Sequence, residues 1–247
     1  MVKLSKRMSA VASMVTKGNR LADIGTDHGY VPISLVENGY IPSAIAMDIN
    51  QGPLDKAREH IRAQGLSNCI ETRLSDGVEA LEAWEADTIL IAGMGGELII
   101  HILTAGEEVC KKAKELVLQP QSDIDKVRKF LRENGYLIQD EDMILEDGKF
   151  YSMMRAVPTD IPGPAQKLKP EIMEVCDLYG PYLLKNGNPT LKKYLVKQHR
   201  MLNSILENLE NQEKTEAIEE RIGQIRQSIT YNESAYTILG AIKNAGI

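Results

Sequence analysis

The chain is poor in the groups that staple small secreted proteins or hold metals. Its only cysteines in 247 residues are Cys69, Cys110 and Cys176. Three scattered thiols make no disulfide framework, and no CxxC pair or Cys/His cluster offers zinc the spacing it needs, so no metal is expected. Such cysteines fit a reducing compartment. Aromatic residues are sparse, with one Trp and two Phe. The longest apolar run, from Ile89 to Met94 with one Gly inside, is far below the roughly 18 residues a bilayer span requires, and no membrane partner is expected. Positive charge is in deficit: 29 Lys and Arg stand against 35 Asp and Glu, a formal −6. That excludes a wholesale basic coat for nucleic acid but not a local basic face. What remains is ordinary globular composition, 43% hydrophobic and 26% charged, which excludes a disordered chain.

Near the N-terminus, Lys3, Lys6 and Arg7 precede a short apolar stretch from Met8 to Val15, a faint echo of a signal peptide. Two serines interrupt it. Leu4, Met8, Val11, Ala12 and Val15 instead share one helical face, so an amphipathic helix and a cytoplasmic location are expected.

Residues 1–158 alternate short β-rich runs with helical stretches. Strands are predicted at Leu21–Ile24, Ala44–Asp48, Cys69–Leu74, Thr88–Ala92 and Glu115–Leu118, with helices over Gly52–Ala63, Glu97–Leu103 and Ser122–Asn134. That alternation implies a doubly wound α/β fold on a parallel sheet. The runs Tyr136–Leu145 and Phe150–Val157 flank Asp147-Gly148, a turn signal for an antiparallel hairpin that closes the sheet. Pro158, Pro162, Pro164 and Pro170 then read as a linker. Residues 159–247 are expected to form a helical domain. Leu191, Leu195, Gln198, Leu202, Ile205 and Leu209 step by four and three, as do Ile218, Ile222, Ile225, Ile229, Asn232, Tyr236 and Leu239. Two such seams joined by a short polar stretch predict an antiparallel coiled-coil hairpin, with Gln198 and Asn232 fixing its register.

The halves differ in charge. Residues 1–158 carry the whole net −6, and residues 159–247 are neutral. Two acid-free basic stretches stand out: 1–22, with Lys3, Lys6, Arg7, Lys17 and Arg20, and 178–206, with Lys185, Lys192, Lys193, Lys197 and Arg200. Each alone is readable as a solvated helix face. Together, on an acidic protein, they suggest a track for a polyanion.

The chemistry gathers at strand ends. The first strand runs into Asp23-Ile-Gly-Thr-Asp-His-Gly29, a D-x-G-x-x-x-G loop that feeds a helix at about Tyr30. Gly25 and Gly29 let backbone approach a ligand, and Thr26 and His28 lie between them. The helix N-terminus suits a carboxylate, while Asp23 repels phosphate and attracts an ammonium. A ligand with both groups and no phosphate is S-adenosylmethionine. A dinucleotide fits less well, and its G-x-G-x-x-G loop is absent. Asp48, followed by Ile49, ends the second strand where ribose hydroxyls would be met. Asp76-Gly77 follows the third strand and offers adenine a carboxylate, or is simply a turn. Gly93-Met94-Gly95-Gly96 follows the fourth and leaves room for the sulfonium and the acceptor.

These segments resemble the bacterial tRNA (adenine-N1)-methyltransferases that act on the adenine at nucleotide 22. The likeness is carried by Leu4-Ser-Lys-Arg7, Asp23 to Pro32, Ala46-Met-Asp48, Ala92 to Gly96, Leu118-Gln-Pro-Gln121, Gly148 to Tyr151 and the coiled-coil tail. It implies a Rossmann-like, seven-stranded class I methyltransferase sheet over 1–158, a helical tail over 159–247 that helps hold tRNA, and methyl transfer from S-adenosylmethionine to a ring nitrogen.

Adenine N1 is engaged in base pairing, so the base must leave its pair and enter a pocket. Asp27 is the candidate partner for the exocyclic amine, the alternative being a helix cap. His28 is more suited to packing than to base catalysis. Tyr30 is placed to stack on the base or to sit in the core. Gln119 and Gln121 read either as contacts to the adenine edge or as the end of the fifth strand. Arg7 reads as a contact to cofactor carboxylate or RNA phosphate, or as a surface residue. Lys192, Lys193, Lys197 and Arg200 are the candidate tRNA contacts of the tail. The competing readings are an NAD-linked oxidoreductase, a methyltransferase for another RNA or a small molecule, and a non-catalytic adaptor built on the coiled coil.

Overall fold

The computed structural model of the chain describes residues 3–160 and 168–244. Two compact units emerge, residues 1–163 and residues 164–247. Pro162 and Pro164 of the expected linker lie outside the described residues.

The first unit is built on a seven-stranded sheet. Its strands are β1 (Leu21–Ile24), β2 (Ala44–Asp48), β3 (Ile70–Leu74), β4 (Thr88–Met94), β5 (Glu115–Pro120), β6 (Tyr136–Glu146) and β7 (Lys149–Pro158). The order is β3-β2-β1-β4-β5-β7-β6. β1 pairs parallel with β2 and β4, and β4 pairs parallel with β5. β7 runs antiparallel to both β5 and β6. Leu90, Ile91, Val117 and Leu118, neighbours that point to opposite faces, are all fully buried, as expected of central parallel strands covered on both sides. Helices α1 (Lys6–Ser13), α2 (Tyr30–Glu37) and α3 (Gln51–Ala63) cover one face through Val11, Ile33, Ala57 and Ile61. Helices α4 (Gly96–Ala105), α5 (Glu107–Lys112) and α6 (Ile124–Glu133) cover the other.

The chain winds from β1 outward to β3, then crosses back to β4. The β1/β4 boundary is therefore the switch point, where open α/β sheets leave a crevice at the carboxyl ends of their strands. The predicted strands appear with small shifts in their limits. β4 runs two residues further than expected, through Gly93 and Met94, because the chain bulges between Ala92 and Met94 and the Met94 carbonyl still accepts from the Gln121 amide at 2.8 Å. β5 likewise reaches Pro120, so Gln119 lies inside a strand and not beyond it. The short helix α5 has no counterpart in the sequence reading; six residues are too few for a periodic signal.

Two buried polar clusters fix this frame. Glu115 accepts from the Thr16 amide and hydroxyl at 2.8 and 2.6 Å and from the Thr88 hydroxyl at 2.7 Å, tying the segment after α1 to the start of β4 and β5. Arg128 of α6 donates from Nε to Glu141 of β6 at 2.7 Å and from Nη2 to Ser152 of β7 at 3.0 Å.

In the second unit, α7 (Pro170–Tyr179) and α8 (Pro181–Lys185) precede two long helices, α9 (Pro189–Glu210) and α10 (Glu216–Asn244). The long pair forms a hairpin sealed by Leu191, Leu195 and Leu202 against Ile222, Ile225 and Leu239. The polar seam residues meet: Asn232 Nδ2 donates to Gln198 Oε1 at 2.9 Å and to the Leu195 carbonyl at 3.1 Å. One seam expectation fails. Tyr236 is 42% exposed, and its neighbour Ala235, fully buried, occupies the inward place between Asn232 and Leu239.

Candidate cofactor and base site

The β1–α2 loop is held against β2 by two amides, Gly25 and Thr26, which both donate to the Met47 carbonyl at 2.8 and 2.9 Å. Gly25 has φ +72°, and a Cβ there would lie 2.3 Å from Met94 Cε. The backbone angle calls for glycine, while the Met94 methyl, at the end of a flexible side chain, could move aside. The loop ends at Gly29, which begins α2 with no side chain capping the first turn. The amides of Tyr30 and Val31 are thus left for a ligand anion.

Asp23 stands below this loop, almost wholly buried. Its Oδ2 accepts from the Thr26 hydroxyl at 2.6 Å, and among the described residues no hydrogen bond reaches its second oxygen. Burial pushes its carboxyl up to about 6; the Thr26 bond opposes the rise and the nearby charge of Asp48 adds to it. A buried carboxylate with an unused oxygen is a strong receptor for a cation. Asp48, at the end of β2, spends Oδ1 on the Asn50 amide at 2.8 Å. Past it, Ile49 and Leu74 are more than half exposed. They line a cavity of about 390 Å³ together with Asp76, which is exposed at the tip of β3. Gly77 follows at φ +53° and packs on Ile102. Ser75, Glu79 and Ala80 complete the lining, so that apolar side chains and carboxylates share a slot that suits a purine ring with an exocyclic amine.

Gly93 and Met94 finish β4, and Gly95 opens α4. Above them, α1 contributes Arg7. Its Nη1 donates to Gln119 Oε1 at 2.8 Å, its amide donates to Glu146 at 3.2 Å, and its guanidinium lies 5.6 Å from the Tyr151 ring centre. Gln119 is fully buried and spends its Nε2 on the Pro120 carbonyl. Its side chain is thereby committed to holding Arg7, whereas Gln121 is exposed.

Asp27, at φ +52° with its side chain largely in solvent, lies 3.4 Å from His28 Nε2. It does not cap α2. The His28 ring is 5.4 Å from Tyr30, and Tyr30 stacks on His60 at 5.2 Å with 16° between planes. His28 Nδ1 is buried without a partner, a polar atom waiting for one. His60 also bonds to the His28 carbonyl at 3.1 Å. No motif or spacing in the sequence points to His60 or Leu74 as part of this site.

The group that the crevice would hold therefore has an ammonium, a carboxylate, a ribose and a purine. The residues present fit S-adenosylmethionine: a buried acid with a free oxygen, an uncapped helix start, a glycine cradle and a slot of apolar and acidic side chains.

Comparison with known proteins agrees. A methyltransferase-domain family model matches residues 4–154. The tRNA (adenine(22)-N(1))-methyltransferase of Bacillus subtilis (strain 168) is 34% identical over 91% of this chain and 93% of its own length. The chain belongs to this methyltransferase family. The crystal structure of B. subtilis TrmK, a tRNA methyltransferase, superposes with a TM-score of 0.84 at 33% identity, covering 96% of this chain and 100% of that one. M. capricolum TrmK, solved in complex with the natural cofactor product S-adenosyl-homocysteine, gives 0.80 at 28% identity, covering 96% and 99%. Within the methyltransferase's second unit, Lys192, Lys193, Lys197 and Arg200 lie on α9 and line one groove. Among the described residues no cluster of His, Cys, Asp or Glu could hold a metal, and no helix is long and apolar enough to cross a membrane.

Proposed function

We propose that the chain transfers a methyl group from S-adenosylmethionine to N1 of the adenine at nucleotide 22 of tRNA, in the cytoplasm. The row of strand-end groups at the switch point, with the half-satisfied buried Asp23 at its centre, carries this reading. Its support comes from membership of the family and from chemistry that disfavours a pyrophosphate beside Asp23. In this reading residues 1–158 bind the methyl donor and residues 159–247 bind tRNA.

When bound, S-adenosylmethionine supplies a methyl group on a cationic sulfur, which takes back the C–S electron pair as the adenine N1 lone pair forms the new bond. The protein's part is positioning and electrostatics. Asp23 takes the ammonium and the first turn of α2 takes the carboxylate. Asp48 accepts from the ribose, Ile49 and Leu74 flank the purine, and Asp76 accepts from its amine. Gly93, Met94 and Gly95 keep the strand tip low enough for two reactants to meet.

The target base has to be taken out of its stack. The Tyr30–His60 pair offers it an aromatic platform. Asp27, exposed and charged beside that platform, faces the exocyclic amine of a base that becomes cationic on methylation. It stabilises the developing charge and is the assigned catalytic group. Arg7, clamped by Gln119 and Glu146, meets an RNA phosphate, and Gln121 meets the base edge.

Labelled S-adenosylmethionine and an unmodified tRNA transcript test the reading. Nuclease digestion is expected to yield labelled N1-methyladenosine, and a transcript with guanine at nucleotide 22 is expected to accept nothing. Label found only at N6, or transfer that persists on the guanine transcript, would refute the assigned position.

A further inference from the structure

In the second unit, α9 and α10 bound a groove of about 630 Å³. That falls within the roughly 300–1,000 Å³ typical of small-ligand sites. Val196 and Leu239 supply apolar surface, and Lys192, Lys193, Lys197 and Arg200 supply four cations. Among the described residues that line it, none is acidic. Cations gathered in one groove repel one another unless an anion is shared.

The aromatic member is Tyr236. Heptad spacing would place it in the seam, but Ala235 is fully buried in its stead, and Tyr236 lines the groove with 42% of its surface exposed. The register is pinned by Asn232, whose bonds to the Leu195 carbonyl and Gln198 hold this stretch of α10 one way round. Lys192 Nζ lies 5.6 Å from the Tyr236 ring centre. An exposed ring beside cations, over an apolar floor, is the arrangement that binds single-stranded nucleotides: the ring stacks on a base while the cations hold phosphates.

We propose that this groove takes one unstacked nucleotide of the RNA substrate, its base on Tyr236 and its flanking phosphates on Lys192, Lys193 and Arg200. The inference rests on the reading of the chain as an RNA methyltransferase and deepens it. The tail then selects an RNA with an extruded nucleotide and does not merely follow a duplex backbone, whose bases are inaccessible to an aromatic side chain.

The test uses the full chain and an unmodified tRNA transcript, with S-adenosylhomocysteine present so that binding is measured without turnover. Tyr236→Ala is expected to weaken tRNA binding about tenfold, and Tyr236→Phe, which keeps the stacking face, to stay within about twofold of the wild type. Lys193→Ala is expected to weaken binding and to lower the salt slope by about one. Val196→Glu, which leaves Tyr236 in place but puts a negative charge in the groove, is expected to weaken binding as well. If Tyr236→Ala proves unfolded, Val196→Glu binding like the wild type overturns the proposal, and Tyr236→Leu, which keeps apolar bulk but no ring, is expected to show the tenfold loss in its place. S-adenosylmethionine affinity is expected to be unchanged in every variant.

Tyr236→Ala binding like the wild type while Lys193→Ala weakens it would reduce the groove to an electrostatic track and overturn the proposal. So would equal losses for the Ala and Phe variants, which would point to the hydroxyl. A change in self-association without a change in tRNA binding would make the groove a protein interface, again overturning it. If the wild type methylates tRNA and Tyr236→Ala matches it, only the groove assignment falls. If the wild type binds no tRNA, the RNA reading falls and takes the groove with it.

Discussion

Asp23 is under opposing pressures. Burial raises its carboxyl from the ordinary 3.8 to about 6, with the Thr26 hydroxyl pulling back and Asp48 pushing on. The folded chain therefore holds this proton more tightly than the unfolded chain does. Above pH 6 the ionised side chain costs the ligand-free protein on the order of 3 kcal/mol, a penalty that fades as pH falls towards 3.8. Replacing the charge with a neutral amide relieves that cost but removes the partner proposed for the ammonium. Asp23→Asn is thus expected to melt higher than the wild type at pH 7.5 without ligand. It is expected to bind S-adenosylmethionine about 10- to 100-fold more weakly, the worth of a charge-assisted bond. In the wild type, affinity should decline as pH drops through 6, and in the variant it should stay flat over that range. Calorimetry across pH, with thermal melts, checks both. Unchanged affinity in Asp23→Asn would remove the ammonium role.

At the same scale, Tyr30 and His60 stack on each other, and neither makes a hydrogen bond to Asp23, Asp48 or Asp76. His60→Ala is expected to raise the KM for tRNA several-fold and leave the S-adenosylmethionine Kd alone, because base–aromatic stacking supplies about 1–3 kcal/mol. Steady-state kinetics with each substrate varied in turn separates the two. Asp23 and Asp48 were legible in the sequence because each follows apolar residues of a short strand, and Asp76 because it stands with Gly77 just after the third predicted strand. His60 and Leu74 were not, because only the packing of α3 and the pairing of β2 with β3 bring them to the crevice.

Among the elements, α6 is joined to the β6–β7 hairpin by a charge pair that is wholly out of water, Arg128 with Glu141. Removing one member leaves the other charge buried and uncompensated, which costs about 3–5 kcal/mol. Replacing both with apolar residues of similar volume avoids that penalty. Glu141→Leu is expected to lower the denaturation midpoint sharply, and Glu141→Leu with Arg128→Met to recover most of the loss. Urea titrations of the two proteins check this; a double variant no better than the single one would mean that the pair stabilises outright. The strands around this pair were readable from β-rich runs and the Asp147-Gly148 turn, and the turn is there, with φ +49° and +77°. The pair itself was not readable, since 13 residues separate two charges that only the fold brings together. The seam of α10 shows a limit of the same kind. Heptad steps admit either Ala235 or Tyr236 inward, and the sequence pattern favours the larger apolar surface. The Asn232 contacts select the small residue.

For the molecule as a whole, charge sets how it meets its substrate. A chain of net −6 approaches a polyanion against repulsion, so attraction must come from local basic stretches. Cations on α9 and on α1 are spent on RNA phosphates in the proposed reading, and each phosphate neutralised releases counterions. S-adenosylmethionine has no phosphate, and in the proposed reading its ammonium meets a carboxylate that is buried, where salt screens little. The two substrates should therefore separate on a salt axis. Between about 50 and 200 mM salt, tRNA affinity is expected to fall by roughly a hundredfold or more, in proportion to the number of phosphates held, while S-adenosylmethionine affinity changes by less than about twofold. Replacing Lys192, Lys193 and Arg200 together with alanine should flatten the first line and leave the second where it was. Parallel titrations at four salt concentrations check this. A salt-independent tRNA affinity would mean that the basic stretches do not carry the contact, and that recognition rests on apolar and hydrogen-bonding groups alone.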